Sequence, residues 1–160
     1  MTAIETALPA TNATLIAIIE NQVARTEAAF EGMDASILTA EPGHDCNSVL
    51  RIGHHLVGLR QFMLKLLESP RATNIASPDD IATIDQLLSA IHSATKEVIA
   101  GVREHDAEDW MRTPEATREG PWGDEPTLAR FVRPLNDFAN HLGSIRAIRR
   151  LMGNPNDRTQ

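Results

Sequence analysis

A chain of 160 residues, 42% apolar and 23% charged, suits one globular domain and is long enough to bury a sizeable core. The formal net charge of −7 argues against a general nucleic-acid binder, which carries a basic face. A single cysteine, Cys46, excludes an internal disulfide. With no tyrosine and two tryptophans, the core must be built from Leu, Ile, Val, Ala, Met and Phe, a set that leans helical.

The N-terminal stretch MTAIETALPATNATLIAIIENQ has no basic segment and no long apolar run. Neither a signal peptide nor a membrane span is expected, and the default location is cytoplasmic. The first helix is predicted from Thr11 or Asn12, both good N-caps. Leu15, Ile16, Ile18, Ile19 and Val23 recur at helical spacing, and Met33, Ile37 and Leu38 extend the pattern past Gly32. Pro42 and Gly43 break it. The second helix starts after Asn47 or Ser48 and is closed by Pro70. Ile52, Leu59, Phe62, Met63 and Leu66 share its apolar face; His55 lies at the edge of that face, and His54 points with the polar strip.

The third helix is expected to open at SPDD, with Ser77 as cap and Pro78 in the first helical position, and to end near His105. The segment from Asp106 to Pro126, rich in proline and holding Trp110 and Trp122, reads as a long connection. The fourth helix runs from about Thr127 to Met152, with Pro134 inside it and Arg146, Arg149 and Arg150 at its negative end. No strand pattern or internal repeat interrupts this reading. The fold class is therefore all-α: a four-helix bundle with a long connection between helices three and four, spanning 1–153, with 154–160 as a frayed tail.

Asp137 and His141 are four residues apart and so project from one helix face, and His55 offers a third ligand from the second helix. Two imidazoles and a carboxylate suit Zn, Ni, Mn or Fe(II) and leave positions open for water or substrate. The same spacing also arises by chance, as a hydrogen-bonded or half-exposed pair.

Two stretches resemble a known family. NSVLRIGHHLVGLRQFMLKLL resembles the second helix of DinB-like (YfiT-like) proteins, with its Gly-x-His-Leu, and DFANHLGSIRAIRRLMG resembles their last helix. The resemblance implies a four-helix bundle, often a homodimer, with a three-histidine divalent metal site. In some members it implies transfer of thiol cofactors such as bacillithiol, mycothiol or glutathione. Position by position, the family's ligands fall on His55 and His141, and the remaining histidine falls on Asp137, a departure that adds negative charge. Ser144 and Arg51 depart from the pattern as well.

The other candidates have plainer readings. His92 suits a partly buried histidine, His44 and His105 suit exposed loop edges, and Cys46 suits a small residue in a turn without a neighbouring base. Two functions are carried forward. One is a metal-dependent thiol transferase or hydrolase acting on a small molecule, with a low-molecular-weight thiol as a candidate co-substrate. The other is a non-catalytic, dimeric small-molecule or stress-linked binding protein with a degraded metal site.

Overall fold

The computed structural model describes residues 3–43, 46–70, 75–119 and 122–153. The expected tail at 154–160 and His44 lie outside them. Six α-helices are found among the described residues, with no strand: α1 (Ala3–Phe30), α2 (Ala35–Thr39), α3 (Val49–Leu66), α4 (Ile84–Glu104), α5 (Ala107–Met111) and α6 (Thr127–Leu151). The four long helices are the four read from the sequence.

Helix ends follow local chemistry, and three differ from expectation. α1 begins before Thr11 and Asn12, and Asn12 serves a tertiary role. Its side chain donates to the His105 carbonyl (3.0 Å) and accepts from Trp110 Nε1 (2.7 Å), tying α1 to the start of the crossover. The expected continuation through Gly32 fails because Gly32 takes a left-handed conformation (φ 62°), which stops α1 at Phe30. Asp34 then caps the separate α2 by accepting from Ser36 N (2.8 Å). At SPDD the chain forms only a 3₁₀ turn, Pro78–Asp80. α4 starts at Ile84 because Thr83 and Gln86 form a reciprocal capping box, a stronger start signal than Ser77 alone. Ser48 caps α3 as expected, accepting from Arg51 N at 3.2 Å.

α3 packs against α4 and α6, and α1 packs against the same two helices, so α1 and α3 face each other across a diagonal. Residue pairs give the directions. Gly53 and Gly101 meet Leu87 and Leu67, which makes α3 and α4 parallel. His55, in the first half of α3, meets Asp137 near the middle of α6, while Glu68, just past the end of α3, accepts from Arg112, whose carbonyl holds Thr127 at the start of α6; α3 and α6 are therefore antiparallel. The parallel pair requires a return connection over 67–83, anchored where His54 Nε2 meets the Ile81 carbonyl at 2.8 Å. The long connection after α4 carries α5 and a 3₁₀ turn, Glu115–Thr117. Trp110 packs edge-on to Phe131 and closes the core, whereas Trp122 stays half exposed beneath the Arg133 guanidinium.

Apolar residues from α1, α3, α4 and α6 form one core, with Leu56, Leu64, Leu87, Ile91, Phe131, Phe138 and Leu142 fully enclosed. None of the described helices is long and apolar enough to cross a membrane.

Candidate metal centre

His55 sits in the second turn of α3, and Asp137 and His141 sit one turn apart on α6. Antiparallel packing of these two helices brings together residues 82 apart in sequence. Below the cluster, Leu56, Phe138 and Leu142 are buried, so the three polar groups stand on the rim of an apolar seam.

Asp137 lies between the two imidazoles. Its Oδ2 accepts from His55 Nε2 at 3.0 Å, and its Oδ1 lies 3.4 Å from His141 Nε2. The two rings meet edge to face, with centroids 4.6 Å apart and planes at 76°. The side chains are 49%, 45% and 27% exposed for His55, Asp137 and His141, so the cluster is open to solvent on one side. Burial lowers the pKa of His141 from its ordinary value, opposed by the charge of Asp137 and reinforced by His55. Its imidazole is therefore neutral at neutral pH, the form that ligates a metal.

One donor atom from each of the three residues can be chosen so that all lie within 4.8 Å of one another. Donors about 2.1 Å from an ion are about 3.0 Å apart at right angles and about 3.4 Å apart at tetrahedral angles. The 3.0 and 3.4 Å contacts run to different oxygens of Asp137 and put each imidazole within reach of the carboxylate, while one donor from each residue fits within the 4.8 Å spread. The donor set, two imidazoles and a carboxylate, suits a borderline divalent ion.

A family model described as the DinB superfamily matches residues 18–144. The chain belongs to the DinB superfamily. No curated protein and no solved structure matches it. The match covers α3 and α6 as far as residue 144, so this DinB protein holds all three residues of the cluster inside the family's part of the chain. Asp137 stands where the resemblance placed a histidine.

The other candidates fall away from the centre. His54 turns to the Ile81 carbonyl and does not compete with His55. His92 is exposed and not partly buried as expected; its Nε2 lies 3.1 Å from Glu27 on α1. His105, expected to be exposed, is buried against Trp110 (centroids 4.9 Å) because the crossover folds over it. Cys46 is exposed, as a turn residue should be. Arg149, read as solvated charge, is buried and donates to the Ala29 carbonyl at 2.7 Å.

Sequence reading also missed Arg60, which is fully enclosed between α1, α3 and α6. The signal was present: Arg60 falls four residues after Leu56 and three before Met63, on the apolar face.

Proposed function

We propose that His55, Asp137 and His141 hold one divalent metal ion, and that the protein is a metal-dependent enzyme acting on a small molecule by thiol transfer or hydrolysis. The whole of 1–153 acts as a single bundle in this reading. The observation that carries it is the convergence of three ligand-type side chains from two helices within 4.8 Å. A divalent ion supplies Lewis-acid polarisation and favours the ionised form of an oxygen or sulfur ligand near neutral pH.

The chain's own residues have distinct parts. His141, kept neutral by burial, offers its Nε2 lone pair without losing a proton to bulk water first. Asp137 contributes the negative charge that offsets a cation, and its two oxygens orient both rings. His55, half exposed, lies on the side open to solvent. Zinc, nickel, manganese and iron(II) all suit the donor set, and a low-molecular-weight thiol suits the solvent-open side.

The test is metal analysis and calorimetric titration of tag-free protein, followed by the His55→Ala/His141→Ala double variant. One ion per chain in the parent and none in the variant is expected. No stoichiometric ion, or unchanged binding in the double variant, refutes the site.

A second reading has support of its own. Ile18 and Val132 are exposed apolar residues lining a groove of about 510 Å³ between α1 and α6. That groove suits a non-catalytic protein that pairs with a second copy or takes an apolar ligand. Thermal shift separates the readings: a metal-binding enzyme is stabilised by divalent ions, about 2.7 kcal/mol at a hundredfold excess over Kd, and a metal-free binding protein is not.

A further inference from the structure

Arg60, like Arg130, is a fully buried arginine, and among the described residues no carboxylate is bonded to it. Burial pushes the guanidinium down to about 9, which still leaves it protonated at neutral pH. Nη2 donates to Gln22 Oε1 at 2.8 Å, Nη1 to Met63 Sδ at 3.3 Å, and Nε has no partner. The guanidinium carbon lies 4.2 Å from the centroid of Phe138. Gln22, itself buried, passes the connection on: its Nε2 donates to the Leu135 carbonyl at 2.7 Å. Thr26 Oγ1 in turn donates to the Gln22 carbonyl at 2.7 Å.

A buried charge without a carboxylate weakens a fold. Apolar replacements of similar volume at buried ionic sites are often neutral or stabilising. Stability is therefore a poor account of this arginine, whereas its position is informative. Arg60 is five residues after His55 on α3. Its two contacts on α6, one through Gln22 to Leu135 and one direct to the Phe138 ring, bracket Asp137. The strap thus grips α3 and α6 immediately beside the residues that face each other in the cluster.

We propose that Arg60 is a positioning residue for the metal centre, fixing α3 against α6 through Gln22 and Phe138 so that His55 meets Asp137 and His141. The proposal rests on the metal-site reading above, but it concerns a geometry that exists without the ion. Groups behind metal ligands typically change affinity 10–100-fold when removed.

Two variants test it. Arg60→Met keeps the bulk and removes the charge, its hydrogen bonds and its hold on Phe138. Gln22→Glu keeps an acceptor for Arg60 but has no donor for the Leu135 carbonyl. Both are read by thermal melting in chelator, by calorimetric titration with zinc and with manganese, and by the nuclear Overhauser contact between the His55 and His141 rings in metal-free protein. The expected result is a melting temperature at or above the parent's for Arg60→Met, affinity lower by about 10–100-fold in both variants, and a weakened ring contact.

A folded variant with parental affinity and an intact ring contact overturns the proposal. If Arg60→Met does not fold, Gln22→Glu decides alone. A parent that binds neither ion removes the metal reading, and the ring contact in the metal-free variants still decides this one.

Discussion

Gly53, two residues before His55, tests whether close approach of α3 and α4 sets the site. A Cβ built there would lie 2.4 and 2.9 Å from the two methyl carbons of Leu87 and 3.2 Å from its Cγ. Carbon atoms in contact normally stay about 3.5–4.0 Å apart, so Gly53→Ala demands a movement on the order of 1 Å. Leu87 is fully enclosed, so to make room its side chain must turn or press on its own buried neighbours. Overpacking of this kind costs about 1–3 kcal/mol, against which the alanine gains about 1 kcal/mol in helix propensity. Gly58 and Gly143 are matched controls, since a Cβ at either meets nothing within 4 Å. Gly58→Ala and Gly143→Ala should therefore gain about 0.5–1 kcal/mol. The gap between Gly53→Ala and the controls is then about 1–3 kcal/mol, or roughly 2–12 °C in a domain of this size. Urea and thermal unfolding in chelator read it directly. Metal affinity should fall in Gly53→Ala as well, because the displaced backbone carries His55. If Gly53→Ala melts with the controls, the close approach does not constrain α3, and this account of the glycine fails.

Asp137→Asn should lower divalent-ion affinity about tenfold or more by removing the offsetting charge. It should leave unfolding in chelator within about 1 kcal/mol of the parent, because half-exposed ion pairs contribute little. Calorimetry and urea titration check the two halves separately. Asn12→Ala breaks two hydrogen bonds and leaves Trp110 Nε1 and the His105 carbonyl without their partner. A loss of about 1–3 kcal/mol in urea is expected. His105 is held below its ordinary value of 6.5, first by burial, with Asp109 opposing. The unfolded chain therefore takes up a proton more readily than the native one. Stability from this group is complete above 6.5 and declines as pH falls through the window below it, a slope that His105→Gln should flatten in urea titrations at stepped pH.

The four long helices were legible because each carries an apolar stripe with period 3.6 over many residues. The ends were less so, because capping chemistry is shared. Thr11, Asn12 and Ser77 are good cap types, yet Asn12 is used between helices and Ser77 precedes a single 3₁₀ turn. Gly32 was visible as a weak point, but only its positive φ turns a weak point into a stop. The three members of the cluster were legible one by one, from the i, i+4 pair on α6 and the motif on α3. Their meeting was reached chiefly through the family resemblance, since it depends on the antiparallel pairing of α3 with α6, which no local spacing encodes. Arg60, His105 and Arg149 were misjudged or missed for one reason. Long or amphipathic side chains are assigned to solvent by default, and only tertiary cover shows otherwise.

The departure at Asp137 bears on how the centre behaves between binding events. Three neutral imidazoles at one point have donors and acceptors to arrange but no charge to share, and they converge mainly when an ion draws them in. Here a carboxylate stands between two rings, and each Nε2 has an oxygen within 3.4 Å. The His55–Asp137 hydrogen bond thus holds the cluster together without an ion, and in the proposed site an ion must displace the proton that makes it. That lowers net affinity relative to a set of ligands with no partners, while the preformed geometry reduces the ordering cost of binding. The two effects oppose each other, and pH sets the balance: acid favours the protons and base favours the ion. In the proposed site, metal should be lost in acid and regained without refolding, because the seam of Leu56, Phe138 and Leu142 beneath it is already buried in the metal-free fold; calorimetric titration at stepped pH checks it.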